Sequence, residues 1–272
     1  MNIQLLNENL LAQSVVSQKY ISYHNIYKAT RVIKHLVKAY CPIYDISLDD
    51  FFNYYPLLAF IEAMVYQNDV EVEAAQANKT SLSQISPWNS KKEVIQSLLK
   101  ELNLEHPTIL NALEKVGEFF ELETQLMASD KVTHADVKRL GELRSCDIRT
   151  LHYTLIHLSG KTYRPEMFEL LAPREVIFEI IDDIHDYRKD VAAGHYNTYW
   201  MFEKLYGEEA PHQLQAEIKR YRNLFEERLK LFPENEQKFF SERWSRVCQR
   251  NSFLESADLI RNVALQGDWK KE

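Results

Sequence analysis

The residues best suited to chemistry in this sequence are the aspartates of segment 178–197, FEIIDDIHDYRKDVAAGHYN. Each residue of a helix turns by about 100°, so acidic residues at these spacings share one side of the helix. The apolar residues before the aspartates predict that much of this helix is buried, and like charges four residues apart oppose helix formation. Hard oxygen ligands at i, i+4 and i+8 suit Mg²⁺, whereas the alternative is a solvated acidic face. The acidic side comprises Glu179, Asp182, Asp183, Asp186 and Asp190.

A second acidic segment lies in residues 51–73, again after an aromatic and apolar run. Asp69 and Glu73 form an i,i+4 carboxylate pair, and Glu62 and Tyr66 fall within about 60° of them on a helix. A magnesium site that also binds phosphate uses carboxylates together with the substrate's own oxygens. We therefore expect two acidic helices to face one another across a cavity, the alternative being that this second pair lies on the surface.

The elements that must position these carboxylates are predicted to be helices, because apolar residues recur mostly at spacings of three and four. The 272 residues include only 6 glycines and 8 prolines. These are too few for the many tight turns of an all-β fold, so we expect one all-α domain over residues 1–272. Prolines at positions 56, 107, 173, 211 and 233 are each expected near a helix start. The predicted helices are 18–40, 57–77, 90–103, 108–129, 134–159, 173–193, 197–207, 210–231 and 234–265.

Composition argues against several other classes of protein. The formal charge of −7 disfavours nonspecific binding of nucleic acid, which relies on Lys and Arg to neutralise phosphates. Cys41, Cys146 and Cys248 are far apart and have no metal-ligand spacing, so we expect neither a disulfide framework nor a zinc site. Residues 1–13 lack the features of a secretory signal, and no window approaches the length of about 18 apolar residues that a transmembrane helix needs. We expect a cytoplasmic protein.

The segment DDIHDYRKD, residues 182–190, resembles the third-metal motif of class I terpene synthases, commonly Asn-Asp-x-x-Ser-x-x-Lys-Glu. In this register the resemblance implies that Asp182, Asp186 and Asp190 are metal ligands. All three positions are acidic in this chain. Lys189 then lies beside the ligands and contacts the diphosphate of the substrate.

The first acidic segment resembles the aspartate-rich motif of the same family. Asp69 and Glu73 correspond to its first and last metal ligands. Val70 occupies the position of the second Asp of the common form, and Asn68-Asp69 is an alternative register for the double-acid position. The resemblance implies that this segment holds metal from the opposite side of the cavity.

Two further segments resemble diphosphate-binding parts of that family. The segment LGELRSCDIRTL, residues 140–151, is similar to an Arg-x-x-Asp segment at a helix break, with Arg144 as the diphosphate sensor and Asp147 as its acidic partner. The segment WSRVCQRN, residues 244–251, is similar to a Trp followed by Arg-Tyr, with Arg250 as the diphosphate contact and Asn251 in place of the tyrosine.

The same residues also resemble the second motif of squalene and phytoene synthases, roughly Asn-Ile-x-Arg-Asp-x-x-Glu-Asp-x-x-x-Gly-Arg. In that register Asp186 and Asp190 are the ligands, and Gly194-His195 corresponds to Gly-Arg. His185 replaces the arginine expected before the metal Asp. This alternative implies a transferase that condenses two isoprenyl diphosphates. Asp186 and Asp190 are ligands in both registers.

The resemblance implies a class I terpenoid synthase fold, a single-domain helical bundle around a central cavity. It implies a lyase or cyclase that ionises a C15 or C20 isoprenyl diphosphate with two or three Mg²⁺ ions, for which Mn²⁺ can substitute, and a homodimer is a frequent assembly of such enzymes. A non-catalytic helical interaction protein is the alternative from another class. The expected catalytic residues are Asp69, Glu73, Arg144, Asp147 and Asp186, and the substrate contacts are Tyr66, Arg144, Phe178, Lys189 and Arg250.

Overall fold

The structure, a computed structural model, describes residues 21–77 and 87–266, and no β-strand occurs in this part of the chain. The predicted all-α class is confirmed. The expectation about residues 1–13 lies outside the described residues. The helices are α1 Tyr23–Ala39, α2 Leu48–Ala77, α3 Pro87–Glu101, α4 Pro107–Ala128, α5 His134–Arg144, α6 Cys146–Leu158, α7 Pro165–Ala193, α8 Thr198–Tyr206, α9 Ala210–Leu229, α10 Glu234–Arg250 and α11 Ala257–Gln266.

Two prolines that the sequence predicts at helix starts lie inside helices instead, Pro56 in α2 and Pro173 in α7. Such a proline lacks an N–H donor, so the carbonyl four residues earlier has no partner within the helix. For Pro173 that carbonyl belongs to Glu169, and it accepts a hydrogen bond from the Arg228 guanidinium. For Pro56 it belongs to Phe52, whose side chain is 64% exposed, so water can reach this turn. Both helices therefore continue through their proline.

The predicted helix 134–159 is interrupted at Ser145, which separates α5 from α6. Ser145 has φ −86° and ψ 20°, outside the usual helical values. Its hydroxyl lies 3.3 Å from a carboxylate oxygen of Glu179 on α7 and donates to it. Arg149 of α6 donates to the carbonyl of Glu142, 2.9 Å away, and so satisfies a carbonyl in the last turn of α5. The break leaves the end of α5 and the start of α6 close together in space.

The two acidic helices, α2 and α7, make their larger contacts with different members of the α5–α6 pair. α2 contacts α1, α3, α4 and α6, while α7 contacts α5, α8, α9 and α11. α4 lies against both α5 and α6. Among the described residues, no helix is long and apolar enough to cross a membrane. Buried apolar side chains join these helices and include Leu58, Ile61, Val116, Leu140, Leu143, Leu151, Ile177 and Ile180.

The turn after α7 is fixed by Asn197, which is fully buried. The carbonyl oxygen of its side chain accepts hydrogen bonds from the first N–H groups of α8, at 3.0 and 3.3 Å. Its amide group donates to the carbonyl of Asp183 at 2.7 Å and to the carboxylate of Asp190 at 3.0 Å. One side chain therefore caps α8 and ties it to the last turns of α7.

We predict that Asn197→Ala lowers the free energy of unfolding by about 2–4 kcal/mol, because it removes a helix cap and leaves buried polar groups without partners. Urea unfolding followed by circular dichroism measures this loss. Asn53→Ala is the matched control, since Asn53 is exposed and its side chain donates to the carbonyl of Asp49. Its effect should stay within about 0.5 kcal/mol. Equal effects of the two substitutions would contradict the role given to Asn197.

Candidate functional site

A cavity of about 160 Å³ lies where α2, α4, the α5–α6 break and α7 meet. Its polar lining consists of four carboxyl groups and one guanidinium, and aromatic and aliphatic side chains supply most of the rest. The predicted site residues Tyr66, Asp69, Arg144 and Asp147 all line it. The other lining residues are Glu62, Val65, Val116, Phe119, Phe120, Leu143, Cys146 and Glu179.

Arg144 is the basic group of the cavity lining. Its Nη1 lies 2.6 Å from Oδ2 of Asp183, and its Nε lies 3.1 Å from Oε2 of Glu179. The same Oδ2 of Asp183 accepts the N–H of Thr198 at the start of α8, 2.8 Å away. Burial lowers the pKa of Arg144, but the charges of Asp183 and Glu179 outweigh it and raise this pKa. The guanidinium therefore remains charged and ties the α5–α6 break to α7.

A carboxyl pair lies on another part of the cavity lining. Glu62 of α2 is 1% exposed, and none of the described N–H or O–H groups donates to either of its carboxylate oxygens. Burial and the charge of Asp147 raise the pKa of Glu62 well above its usual range. Burial also raises the pKa of Asp147 to about 6, although its Oδ1 accepts the N–H of Ile148 at 2.6 Å. The carboxyl groups of Glu62 and Asp147 therefore interact with one another directly.

The two carboxylates of the first acidic segment, Asp69 and Glu73, lie in different places relative to the cavity. Asp69 lines the cavity, and burial followed by the charge of Glu73 raises its pKa to about 8. Lys28 of α1 opposes this increase, and its Nζ lies 5.6 Å from the ring centroid of Tyr66. Glu73 is outside the cavity lining and lies 3.4 Å from Nδ1 of His195, just beyond α7. This contact joins α2 to the chain that follows α7.

The aspartates predicted as ligands on α7 do not line the cavity. Asp182 is exposed, and Asp186 and Asp190 are half-buried. Burial raises the pKa of Asp190 to about 6, while its hydrogen bond from Asn197 opposes the increase. Lys189 is exposed and close enough to favour the charged form of Asp190.

Two predicted substrate contacts also lie away from the cavity. Phe178 is 41% exposed, and Arg250 is exposed at the C-terminal end of α10. Neither lines the cavity. Its aromatic surface comes from Tyr66 together with Phe119 and Phe120 of α4, a helix that sequence analysis did not connect to the site.

Three acidic residues important to the geometry were not chosen from the sequence. Glu62 lies seven residues before Asp69, which places both on one side of α2 after two turns. Glu179 and Asp183 are four residues apart on α7 and both bind Arg144. Helical spacing placed all three on the acidic sides of their helices, but spacing alone does not show which carboxylates lie beside an arginine.

The donor chemistry of the cavity suits a hard cation, since Mg²⁺ prefers carboxylate oxygens. Glu62 supplies two buried oxygens that receive no hydrogen bond, and Asp69 is surrounded by further acidic groups. Over residues 21–77 and 87–266, no group of three or more His, Cys, Asp or Glu side chains has an arrangement that could hold a metal ion. The carboxylates thus have the right chemistry but are not gathered around one coordination centre.

We predict that the metal-free protein loses stability as the pH rises from 6 to 9. The pKa values of Asp69 and Glu179 are raised to about 8, above their unfolded values, so the folded state binds more protons in this range. The two groups make their full contribution to folding stability below the unfolded pKa of about 4. This contribution is lost as the pH rises past about 8.

Thermal unfolding in EDTA at pH 6 and pH 9 measures this loss. Asp69→Asn should reduce the fall in the midpoint temperature by several degrees, because each 1 kcal/mol shifts the midpoint by about 2–4 °C. Asp49→Asn, on the exposed first turn of α2, should leave the fall unchanged. A wild-type midpoint that is constant or higher at pH 9 would contradict the burial of these ionisable groups.

The geometry therefore brings Tyr66, Asp69, Arg144 and Asp147 to one cavity and leaves Arg250, Phe178 and the α7 aspartates outside its lining. A function for this protein has to account for these placements and for the ion pairs of Arg144. Comparison with known proteins adds no family to them. No protein-family model, no curated protein and no solved structure matches the chain.

Proposed function

We propose that this protein is a Mg²⁺-dependent terpene synthase, a lyase or cyclase that ionises an isoprenyl diphosphate of 15 or 20 carbons. The finer fold proposal is a class I terpenoid synthase bundle in one domain around the acidic cavity. The observation that carries the proposal is the position of Arg144 and Asp147. Arg144 and Asp147 flank the break between α5 and α6. Both line the cavity together with Asp69 of the acidic segment 51–73.

This arrangement supports the resemblance because two parts of it were expected from separate motifs. Asp69 comes from the first acidic segment, and Arg144 and Asp147 come from the Arg-x-x-Asp segment. Asp69 and Arg144 are 75 positions apart in the sequence, yet both line a cavity of about 160 Å³. A surface acidic helix that docks a basic partner would need neither this convergence nor an arginine in the cavity lining.

The residues proposed to hold Mg²⁺ are Asp69 and Glu73 on α2 and Asp182, Asp186 and Asp190 on α7. Glu73 contacts His195 and Asp190 accepts a bond from Asn197, so both acids are already oriented by a neighbouring side chain. Bound Mg²⁺, with Mn²⁺ as a substitute, supplies Lewis-acid assistance to the leaving diphosphate.

Two basic residues are placed to assist the diphosphate. Arg144 keeps its charge at neutral pH because its acidic partners raise its pKa, and its planar group can bind two phosphate oxygens. Lys28 lies over the ring of Tyr66, beside the cavity lining. Fixed positive groups of this kind stabilise the negative charge that develops as the carbon–oxygen bond breaks.

The aromatic lining suits the carbocation that remains after diphosphate departs. Tyr66, Phe119 and Phe120 present ring surfaces to the cavity, and each ring stabilises a nearby cation by about 0.5–2 kcal/mol. The apolar side chains of Val65 and Leu143 complete this part of the lining. Ionisation in such surroundings allows the cation to rearrange before water reaches it.

The size of the cavity favours one substrate over two. About 160 Å³ is below the range of about 300–1,000 Å³ that is usual for ligand pockets, so the site has to open further to take a whole isoprenyl chain. Two chains would need twice that expansion. We therefore place the squalene-type transferase second, and the proposed assembly is a homodimer, as is frequent in the family.

Incubation with C10, C15 and C20 isoprenyl diphosphates and Mg²⁺, followed by product analysis and measurement of released diphosphate, tests the proposal. We expect a hydrocarbon or alcohol of unchanged carbon number from the C15 or C20 substrate, and no turnover in EDTA. A product of doubled carbon number would favour the transferase. Absence of diphosphate release from all three substrates would contradict both enzymes.

We predict that Asp69→Asn and Asp186→Ala each lower diphosphate release by about 100-fold or more, since each removes a proposed ligand of the metal that stabilises the leaving group. Both variants should keep the far-ultraviolet circular dichroism of the wild type. Asp49→Ala, an exposed carboxylate on α2, is the matched control and should retain wild-type release. Full release by Asp186→Ala would show that the metal assignment on α7 is wrong.

A further inference from the structure

Glu62 has an environment that the proposed metal and diphosphate contacts do not explain. It lies two helical turns before Asp69, is 1% exposed and lines the cavity. No described donor reaches either of its oxygens. A buried carboxylate without a hydrogen bond is costly, and a charged one more so, unless it gains a proton or a cation. Its immediate electrostatic neighbour is Asp147, another acid.

A single shared proton resolves this contact. Two carboxylates are both acceptors, so they can bond to one another only when one of them is protonated. Burial and the charge of Asp147 favour the protonated form of Glu62, which can then donate a hydrogen bond to the Asp147 carboxylate. Asp147 keeps its negative charge more readily, because its Oδ1 accepts the N–H of Ile148. At neutral pH the pair therefore holds one proton and one negative charge.

Among the described residues, Glu62 and Asp147 also lack the kind of ion pair that two nearby acids form. Glu179 and Asp183 are held by Arg144, at 3.1 and 2.6 Å. Glu62 has no such partner among the described residues and faces a lining that includes Val65 and Phe120. A carboxylate in apolar surroundings is a stronger base than the same group in water, because burial disfavours its charge.

We propose that Glu62 and Asp147 form the proton-accepting pair of this cavity, which removes a proton from the carbocation formed there. This inference rests on the proposed function. In the step, a C–H bond next to the cationic carbon breaks, and its electron pair becomes the second bond of a carbon–carbon double bond. The proton goes to the oxygen of Glu62 that is not engaged with Asp147, and the proton already on Glu62 passes to the Asp147 carboxylate. One neutral alkene and two protonated carboxyl groups result.

The test compares Glu62→Gln with the wild type, using C15 and C20 isoprenyl diphosphates and Mg²⁺. The substitution keeps the shape of the side chain and lets its amide donate to Asp147, but an amide cannot pass a proton on. Glu123→Gln is the matched control, because Glu123 is also buried, receives a bond from Gln76 at 2.9 Å and does not line the cavity. Released diphosphate measures ionisation, and the ratio of hydrocarbon to alcohol measures loss of the proton.

We expect Glu62→Gln to release diphosphate at a rate within about threefold of the wild type while its hydrocarbon-to-alcohol ratio falls by about 100-fold, the usual size of a general-base effect. Glu62→Asp should recover part of this ratio, and Glu123→Gln should match the wild type in both measurements. Infrared spectra without substrate should show a weaker carbonyl band of protonated carboxyl groups in Glu62→Gln than in the wild type, whereas Asp69 and Glu179 keep their part of the band.

An unchanged hydrocarbon-to-alcohol ratio in Glu62→Gln would overturn the inference. A rate of diphosphate release that falls by the same factor as this ratio would also overturn it. A wild-type product that retains every substrate proton would also overturn it. If Glu62→Gln does not fold, Glu62→Met, which keeps a side chain of similar size and cannot accept the proton, is measured instead with the same expected results. A wild type that releases no diphosphate would overturn the proposed function itself, and the inference with it.

Discussion

The ion pairs of Arg144 with Asp183 and Glu179 join the parts of this structure that the site requires. Arg144 ends α5, and its two partners belong to α7. Asp183 also accepts an N–H at the start of α8, so one buried carboxylate links three helices. Removing one partner of a buried pair leaves the other charge uncompensated, which is costly. The break between α5 and α6 therefore has a fixed position relative to α7.

These ion pairs do not neutralise all the acid around them. Glu62, Asp69 and Asp147 also line the cavity, and burial raises the pKa of each. In the absence of cations, protons supply the missing positive charge, and the folded state is then most stable at lower pH. A bound divalent cation would supply the same charge at higher pH and would favour the ionised carboxylates. Proton binding and metal binding are thus alternative ways to stabilise one group of side chains.

The sequence predicts the helices well because their apolar spacing repeats over many residues. It predicts helix boundaries poorly where a long-range contact decides them. α7 continues through Pro173 because Arg228, distant in the sequence, satisfies the freed carbonyl of Glu169. The interruption at Ser145 likewise involves a contact with Glu179, and nothing in the apolar spacing of 134–159 shows it.

The candidate site was predictable in part for the same reason. Spacing within one helix identified Asp69 beside Tyr66, and the motif resemblance identified Arg144 and Asp147. Spacing could not show that Phe119 and Phe120 of α4 form the aromatic lining, because that depends on how α4 packs on its neighbours. Nor could it distinguish the exposed Asp182 from the buried Asp183 beside it.

The central proposal is that the carboxylates of α2 and α7 bind Mg²⁺ and, through it, diphosphate. Thermal unfolding at pH 8.5 with Mg²⁺, inorganic diphosphate, both or neither tests this claim most directly, because it requires no knowledge of the substrate chain. The account predicts that both together raise the midpoint by about 5 °C at concentrations near 100 times the dissociation constants, and by more than the sum of their separate effects. The same midpoint under all four conditions would contradict it.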